Sequence, residues 1–271
     1  MCQMIFILLI ILIKTLLAED NVKLFTNIAK KATNDEFIDK LTWQHAYNLM
    51  YGMYLMPMIE DYELKSKSIK FLEIGLGCIK NYNASSKIIQ TKKSIHIWDK
   101  LFHSSHHTLF VAEYDIKCAL NWQERGIIPP RVHLLLGDQS NAKTVNSWIS
   151  ESNNIINSKF DIIIDDGGHS NMQIYTSFTH LWPHISPGGY YFIEDLQVSR
   201  RKDKEDSHGK FIMIDIIKDW IEQLLIPRRL GFTHKIPNRI RFIMCQNHAC
   251  VVQKCYDNDV AHCSGDGMKK K

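Results

Sequence analysis

No long block of basic residues runs through this chain. Its 33 lysines and arginines against 29 aspartates and glutamates leave a formal net charge of only +4. A nucleic-acid reader needs a basic stripe to match the phosphates, so nucleic acid is not an expected partner. Paired C-x-x-C units are missing among the seven cysteines, which makes a zinc site a poor reading of them. No internal repeat is visible, and at 45% hydrophobic and 23% charged residues the composition is that of an ordinary globular protein.

The chain begins with an apolar run, Ile5–Ile13, followed by Leu16-Leu17-Ala18 and then Glu19-Asp20. The run is short of the about 20 residues that cross a bilayer. It fits the core of a signal peptide over residues 1–18, cleaved near Ala18, which implies a lumenal or secreted protein with no membrane contact afterwards. Lys14 interrupts the run and no basic residue precedes it, so a signal-anchor with Lys14 snorkelling at the interface is the alternative. Loss of Cys2 with the signal leaves Cys78, Cys118, Cys245, Cys250, Cys255 and Cys263. In an oxidising compartment the C-terminal four read as local disulfides, with Cys245 opposite Cys250 at the mouth of a hairpin. In a reduced protein the same residues would be free thiols. Asn83-Ala84-Ser85 is the only N-x-[ST] sequon.

Residues 19–66 read as an N-terminal helical segment, 67–256 as one domain, and 257–271 as a polar, disordered tail. Within the domain, short apolar runs end in polar or glycine-rich turns: Ile69–Gly75, Leu109–Asp115, Arg131–Gly137, Phe160–Asp165 and Gly189–Asp195. Runs apolar on both faces suit buried parallel strands. Helix-compatible stretches lie between them, notably Ile116–Glu124, Asn141–Ser152 and Met172–Leu181. Phe211–Ile226 predicts an amphipathic helix, and Arg239–Cys245 with Cys250–Lys254 predicts a closing hairpin. The expected fold is α/β: a doubly wound, Rossmann-like, seven-stranded, mostly parallel sheet with a C-terminal antiparallel hairpin. The charged stretch Ser199–Gly209 reads as a mobile loop beside the strand ends, where lids often sit.

The first chemical motif is Phe71-Leu72-Glu73-Ile74-Gly75-Leu76-Gly77, a strand opening into a glycine turn. Gly75 and Gly77 let backbone approach a bound nucleoside, and Glu73 would order the turn or meet the amino-acid end of a ligand. Glu113 ends the next strand, where an acid accepts ribose hydroxyls. Asp138 and Gln139, after the third strand, are candidates for an adenine amino group. Together these residues describe a site for adenosine plus an amino acid. The long separation between Glu73 and Glu113 requires an insertion around Asn81–Ser94. The fourth strand ends in Asp165-Asp166-Gly167-Gly168-His169, and the fifth in Glu194-Asp195. Asp165 is grouped with the cofactor contacts. Asp166 and Asp195 would converge as oxygen ligands for Mg²⁺, with His169 as a general base. A plainer alternative has Asp165 and Asp166 capping the next helix and His169 packing in its first turn.

Residues 40–254 resemble the sugar O-methyltransferases of the mycinamicin and elloramycin biosynthesis type and their eukaryotic relatives. The resemblance rests on Asp39-Lys40, Thr42, His45, Tyr47, Tyr51 and Leu55. It continues through Leu72–Cys78, Trp98, Glu113-Tyr114-Asp115, Gly137-Asp138-Gln139, Ile164–His169, Pro187-Gly188-Gly189 and Phe192–Leu196. It implies a class I methyltransferase fold, S-adenosylmethionine as methyl donor, Mg²⁺ as activator, and a small-molecule sugar or glycan hydroxyl as acceptor. It carries metal ligation to Asp166 and Asp195 and the base to His169, and leaves Glu73 and Glu194 as candidates for a further ligand. Asn81–Ser94 departs from the family pattern: it is longer and has no glycine. A secreted protein that keeps the fold without turnover is the alternative.

Overall fold

Five of the apolar runs form parallel strands, and the last two form an antiparallel pair on one edge. The computed structural model describes residues 18–34, 39–42, 45–78, 94–226, 231–259 and 263–264. The strands are β1 (Lys70–Ile74), β2 (Thr108–Glu113), β3 (Val132–Leu136), β4 (Phe160–Asp165), β5 (Ile185–Ile193), β6 (Ile240–Gln246) and β7 (Ala249–Lys254). They lie in the order β3-β2-β1-β4-β5-β7-β6. Pairs β1–β2, β2–β3, β1–β4 and β4–β5 are parallel, while β5–β7 and β6–β7 are antiparallel. The order reverses between β1 and β4, so a crevice opens past their C-terminal ends.

The two faces of the sheet carry separate cores. On one face pack α1 (18–32), α2 (Tyr47–Met50), α3 (Met56–Leu64), α4 (Ser94–Leu101) and α5 (Ile116–Glu124). On the other pack α6 (Ala142–Ile156), α7 (Asn171–Leu181) and α8 (Met213–Leu225). Alternation along β4 shows why both layers form: Ile162 and Ile164 face the first core, Ile163 the second. Between α2 and α3 the chain runs through a π-helical turn, Tyr51–Leu55. Turns of this kind often mark functional positions.

The first residues, with the expected signal peptide, lie outside the described residues up to 17, and so does the sequon at Asn83. Most of the expected insertion is likewise outside them. No helix among the described residues is long and apolar enough to cross a membrane. Three disulfides form among the described residues: Cys78–Cys118, Cys245–Cys250 and Cys255–Cys263. The second joins directly opposed residues of β6 and β7.

Two expectations change. The stretch after β5 is not a loose lid. Asn171 Nδ2 donates to the Ser199 carbonyl at 2.9 Å, Lys204 Nζ donates to the Gly168 carbonyl at 2.7 Å, and Asp206 Oδ1 accepts from Met172 N at 2.7 Å. These contacts pin it over the start of α7. The expected disordered tail is also tied down in part. Cys263 is in a disulfide, and Ser264 exchanges backbone hydrogen bonds with Arg239 and Ile240 at the start of β6.

Candidate active site

A cavity of about 600 Å³ occupies the crevice at the reversal of strand order. Gly75, Gly77, Glu113, Asp138 and Gln139 all line it, as do Asp166, Gly167 and Gly168. Two backbone amides aim the Glu113 carboxylate: Asp115 N donates at 2.8 Å and Cys78 N at 3.4 Å. Asp138 accepts from Ser140 N at 2.8 Å. Gln139 braces two turns, donating to Asp165 Oδ1 at 3.0 Å while its carbonyl accepts from Gly168 N at 3.0 Å. Gly75 has a different reason for being glycine than contact with a ligand. At φ +102° a Cβ there would lie 2.2 Å from the Asp166 carbonyl oxygen, so the turns after β1 and β4 pack backbone on backbone.

Two expected cofactor contacts, Glu73 and Asp165, do not line the cavity. Both side chains leave their strands into buried layers, on opposite faces of the sheet. Glu73 shares the face of Phe71, where its carboxylate is fully buried, accepts from Ser94 Oγ at 3.0 Å and faces Lys40. Asp165 points to the opposite face and accepts from Gln139, Ser177 and Tyr191. Burial pushes its pKa up to about 6, against those three hydrogen bonds. Both are internal groups that hold the turns from below.

Asp166, His169 and Asp195 do come together, with one donor atom from each within 4.8 Å of the others. His169 Nε2 is 3.3 Å from Asp195 Oδ2 and 3.8 Å from Asp166 Oδ1. His169 and Asp195 both sit in the left-handed region, at φ +59° and +57°. Such backbone costs of order 1–3 kcal/mol per residue and collects at functional sites. Capping does not explain the cluster. Helix α7 is capped by Ser170 and Gln173 in a reciprocal box, leaving Asp165 and Asp166 with other partners. Burial raises the Asp195 pKa, but His169 and the Tyr47 hydroxyl outweigh it and hold the carboxyl below its usual value.

Lys40 is the residue whose role the sequence did not suggest. Its ammonium is buried, 2.8 Å from both Glu194 oxygens, 3.0 Å from Asp166 Oδ2 and 3.7 Å from Glu73 Oε1. Burial disfavours the charge, yet Asp166 and Glu194 keep the ammonium pKa well above the usual lysine value. Tyr51 donates to Glu194, and Tyr47 donates to Asp195 Oδ1 at 2.8 Å. These tyrosines are one helical turn apart, so a single face of the helix serves both acids. His45 adds a ring nitrogen 3.3 Å from Asp195 Oδ1. Glu194, left open as a further ligand, is thus engaged by Lys40 and Tyr51.

The arrangement invites comparison with known proteins. No protein-family profile matches the chain. It is 28% identical over 155 residues to the 8-demethyl-8-alpha-L-rhamnosyl tetracenomycin-C 2'-O-methyltransferase of Streptomyces olivaceus, covering 57% of this chain and 34% of that protein. It is 30% identical over 134 residues to the demethylmacrocin O-methyltransferase of Streptomyces fradiae, covering 49% and 29%. Among solved structures it is similar to the MycE methyltransferase from the mycinamycin biosynthetic pathway in complex with Mg, SAH and mycinamycin VI. That match has a TM-score of 0.64 at 21% identity, over 84% of this chain and 53% of the other. The fold is that of a class I methyltransferase. The chain spans about a third of the length of these curated relatives. Within the methyltransferase fold, the crevice at the reversal of strand order is the cavity described above.

Proposed function

We propose that this chain is an S-adenosylmethionine-dependent, Mg²⁺-assisted O-methyltransferase acting on a hydroxyl of a sugar or glycan. One observation carries the reading: Asp166 belongs both to the wall of the large cavity and to the Asp166–His169–Asp195 cluster. A donor held in the cavity would therefore present its reacting end to the cluster. The named relatives are O-methyltransferases, one of them of a rhamnosyl tetracenomycin, and MycE is seen with Mg and SAH bound, which supports the same chemistry here.

In this reading Glu113, held by two backbone amides, would accept the ribose hydroxyls, and Asp138, on the same cavity wall, would meet the adenine. Asp166 and Asp195 offer oxygen donors of the type Mg²⁺ takes, with water and substrate completing the shell. The ion, when bound, lowers the pKa of an acceptor hydroxyl. His169 Nε2 receives the hydroxyl proton as the oxygen attacks the methyl carbon. The donor, when bound, would supply the methyl group and keep the electrons of its carbon–sulfur bond as a neutral thioether, so that the acceptor would end as a methyl ether while His169 holds the proton. The Asp195 carboxylate, 3.3 Å away, stabilises that imidazolium. Fixed alignment of donor and acceptor supplies much of the acceleration.

A lumenal or secreted location is part of the proposal. Its support is the three disulfides, which persist in oxidising compartments. The engagement of Glu194 by Lys40 favours a second reading, a methyltransferase-fold binding protein without turnover. Transfer of a labelled methyl group to a panel of glycosides, with Mg²⁺ or with chelator, separates the two. Label in product only with Mg²⁺ supports the enzyme. Tight donor binding without label in any acceptor supports the binding protein.

A further inference from the structure

Three residues with side chains hold left-handed backbone beside the acidic cluster: Ala46 at φ +49°, Asp195 at +57° and His248 at +67°. Such backbone persists only where its surroundings fix it. Here the three fix one another. Gln246 Nε2 donates to the His45 carbonyl at 3.1 Å and to the Ala46 carbonyl at 2.9 Å. Leu196 N donates to the His248 carbonyl at 2.8 Å. The Tyr47 hydroxyl donates to Asp195 Oδ1 at 2.8 Å and accepts from Asp195 N at 3.1 Å. The tip of the β6–β7 hairpin, Gln246 to Ala249, therefore holds Asp195 from two sides. One hold runs through the backbone of the next residue, the other through the turn before α2.

Behind the tip lies the Cys245–Cys250 disulfide, whose residues oppose each other directly across the hairpin. It closes a sequence separation of 5, against 40 for Cys78–Cys118, so it adds less to the stability of the whole fold. Its effect is local: it fixes the two strands one rung from the turn. It is also the bridge a solvent thiol reaches first. Cys245 is exposed, whereas Cys78 and Cys118 are half-buried and Cys255 and Cys263 are buried. Cys245 and Cys250 both line a surface cavity of about 340 Å³ between α8 and the hairpin.

We infer that the hairpin tip is a thiol-sensitive positioning device for Asp195, closed by the Cys245–Cys250 bridge and opened by a dithiol. A thiolate of the dithiol attacks the Cys245 sulfur, and the electrons of the broken S–S bond leave with the Cys250 sulfur, which takes up a proton. The second thiol of the reagent then displaces Cys245, which ends as a thiol, and the reagent departs as its own disulfide. The hairpin gains two electrons and two protons, and the reagent loses them. His248 can then relax from left-handed backbone, Gln246 releases the turn before α2, and Asp195 loses its fixed place beside Asp166 and His169. The inference rests on the reading of Asp195 as a metal ligand for methyl transfer and adds the regulation of that site. Gln246 is a positioning residue in it, acting through Ala46 and Tyr47.

The test compares the full chain oxidised and after mild treatment with dithiothreitol, with alkylation mapping to show which cysteines have opened. Cys245 and Cys250 should be modified first, while the other two bridges stay closed. Amide hydrogen exchange at Leu196 and over residues 45–48 should then quicken by about tenfold or more, and reoxidation should reverse it. Calorimetry should show Mg²⁺ affinity falling about tenfold, the usual result of losing a group that orients a metal ligand. S-adenosylmethionine affinity should stay within about twofold. Cys245→Ser/Cys250→Ser should match the reduced chain and no longer respond to the dithiol. Gln246→Met, with the bridge intact, should weaken Mg²⁺ in the same way and leave the donor affinity alone, a split that a merely structural role would not produce. The inference is overturned if another bridge opens first, or if exchange at Leu196 is unchanged once Cys245 and Cys250 are modified. Mg²⁺ affinity that stays within about twofold in the reduced chain and both variants overturns it too. Failure of the methyl-transfer reading looks different: the oxidised chain binds neither Mg²⁺ nor donor, while the exchange response still supports the positioning device.

Discussion

Lys40 Nζ lies 2.8 Å from both carboxylate oxygens of Glu194, although 154 residues separate the two in the chain. The pair ties the segment before α2 to the end of β5. It also turns one oxygen of Asp166 inward and leaves the other toward His169. Removing the ammonium strands Glu73, Asp166 and Glu194 as buried carboxylates. Breaking a buried pair this way costs about 3–5 kcal/mol. Lys40→Met should therefore lose about that much in urea unfolding, and Lys40→Met/Glu194→Leu should regain part of it. A single-variant loss under about 1 kcal/mol would mean the pair contributes no net stability.

Substitutions in the acidic cluster should divide chemistry from binding. Asp166→Ala, Asp195→Ala and His169→Ala are each expected to slow methyl transfer sharply while changing S-adenosylmethionine affinity by less than about threefold. The aspartate variants should also lose the response to Mg²⁺, because each removes an oxygen donor. His169→Ala should keep it and lose about 10²–10⁴-fold in rate, the usual worth of a general base. Steady-state rates across a Mg²⁺ series check both points. Activity of His169→Ala within a few-fold of the unmodified chain would assign that histidine to packing.

Much of this was legible from sequence, and the boundary is physical. Parallel strands buried on both faces leave uninterrupted apolar runs, so β1 to β5 could be read from the sequence, though not their order in the sheet. The turns after β4 and β5 stand out because each carries two adjacent acids at a strand end, the first pair followed by Gly167 and Gly168. Asp166 and Asp165 differ only by strand alternation, and a one-residue step moves a side chain from the cavity to the packed face below it. Asp165 and Glu73 accordingly point into the packed layers and do not line the cavity. Lys40, Tyr47 and Tyr51 were visible only as part of a family resemblance. They come from a helical segment whose docking on the sheet no local pattern encodes, so neither the internal cation nor the two tyrosine donors could be inferred.

Folding stability should fall on acidification through a group far from the site. His107 is buried, and its Nδ1 accepts from Ile69 N at 3.0 Å, so the native state needs it neutral. Burial foremost, with nearby His106 and Arg131, depresses its pKa from 6.5 to about 4. The unfolded chain then binds more protons than the native one between those values, and stability rises with pH across that window. The contribution is complete above pH 6.5 and is lost as pH falls to about 4, by about 3 kcal/mol at most. His107→Asn keeps an acceptor that does not titrate. Unfolding curves measured from pH 4 to 7 should be flatter for that variant, and an unchanged slope would contradict the assignment.

The Cys78–Cys118 bridge joins the cavity wall to α5 across a sequence separation of 40 residues. Cys78 N is one of the two amides that orient Glu113. Replacing both cysteines by serine should cost about 2–4 kcal/mol of stability, typical of a bridge closing such a loop. It should also weaken S-adenosylmethionine binding several-fold, by loosening the loop that carries Cys78. Peptide mapping of the unmodified chain should find both thiols blocked. Free Cys78 and Cys118 in protein folded under oxidising conditions would refute the bridge.

The most direct test of the account is a calorimetric titration of the full chain with S-adenosylmethionine, beside Glu113→Ala. The account predicts one-to-one binding that weakens at least about tenfold in the variant, the loss expected for hydrogen bonds to a charged acceptor. No measurable binding by a folded, unmodified chain, or equal affinity in Glu113→Ala, would contradict the assignment of the large cavity as a methyl-donor site.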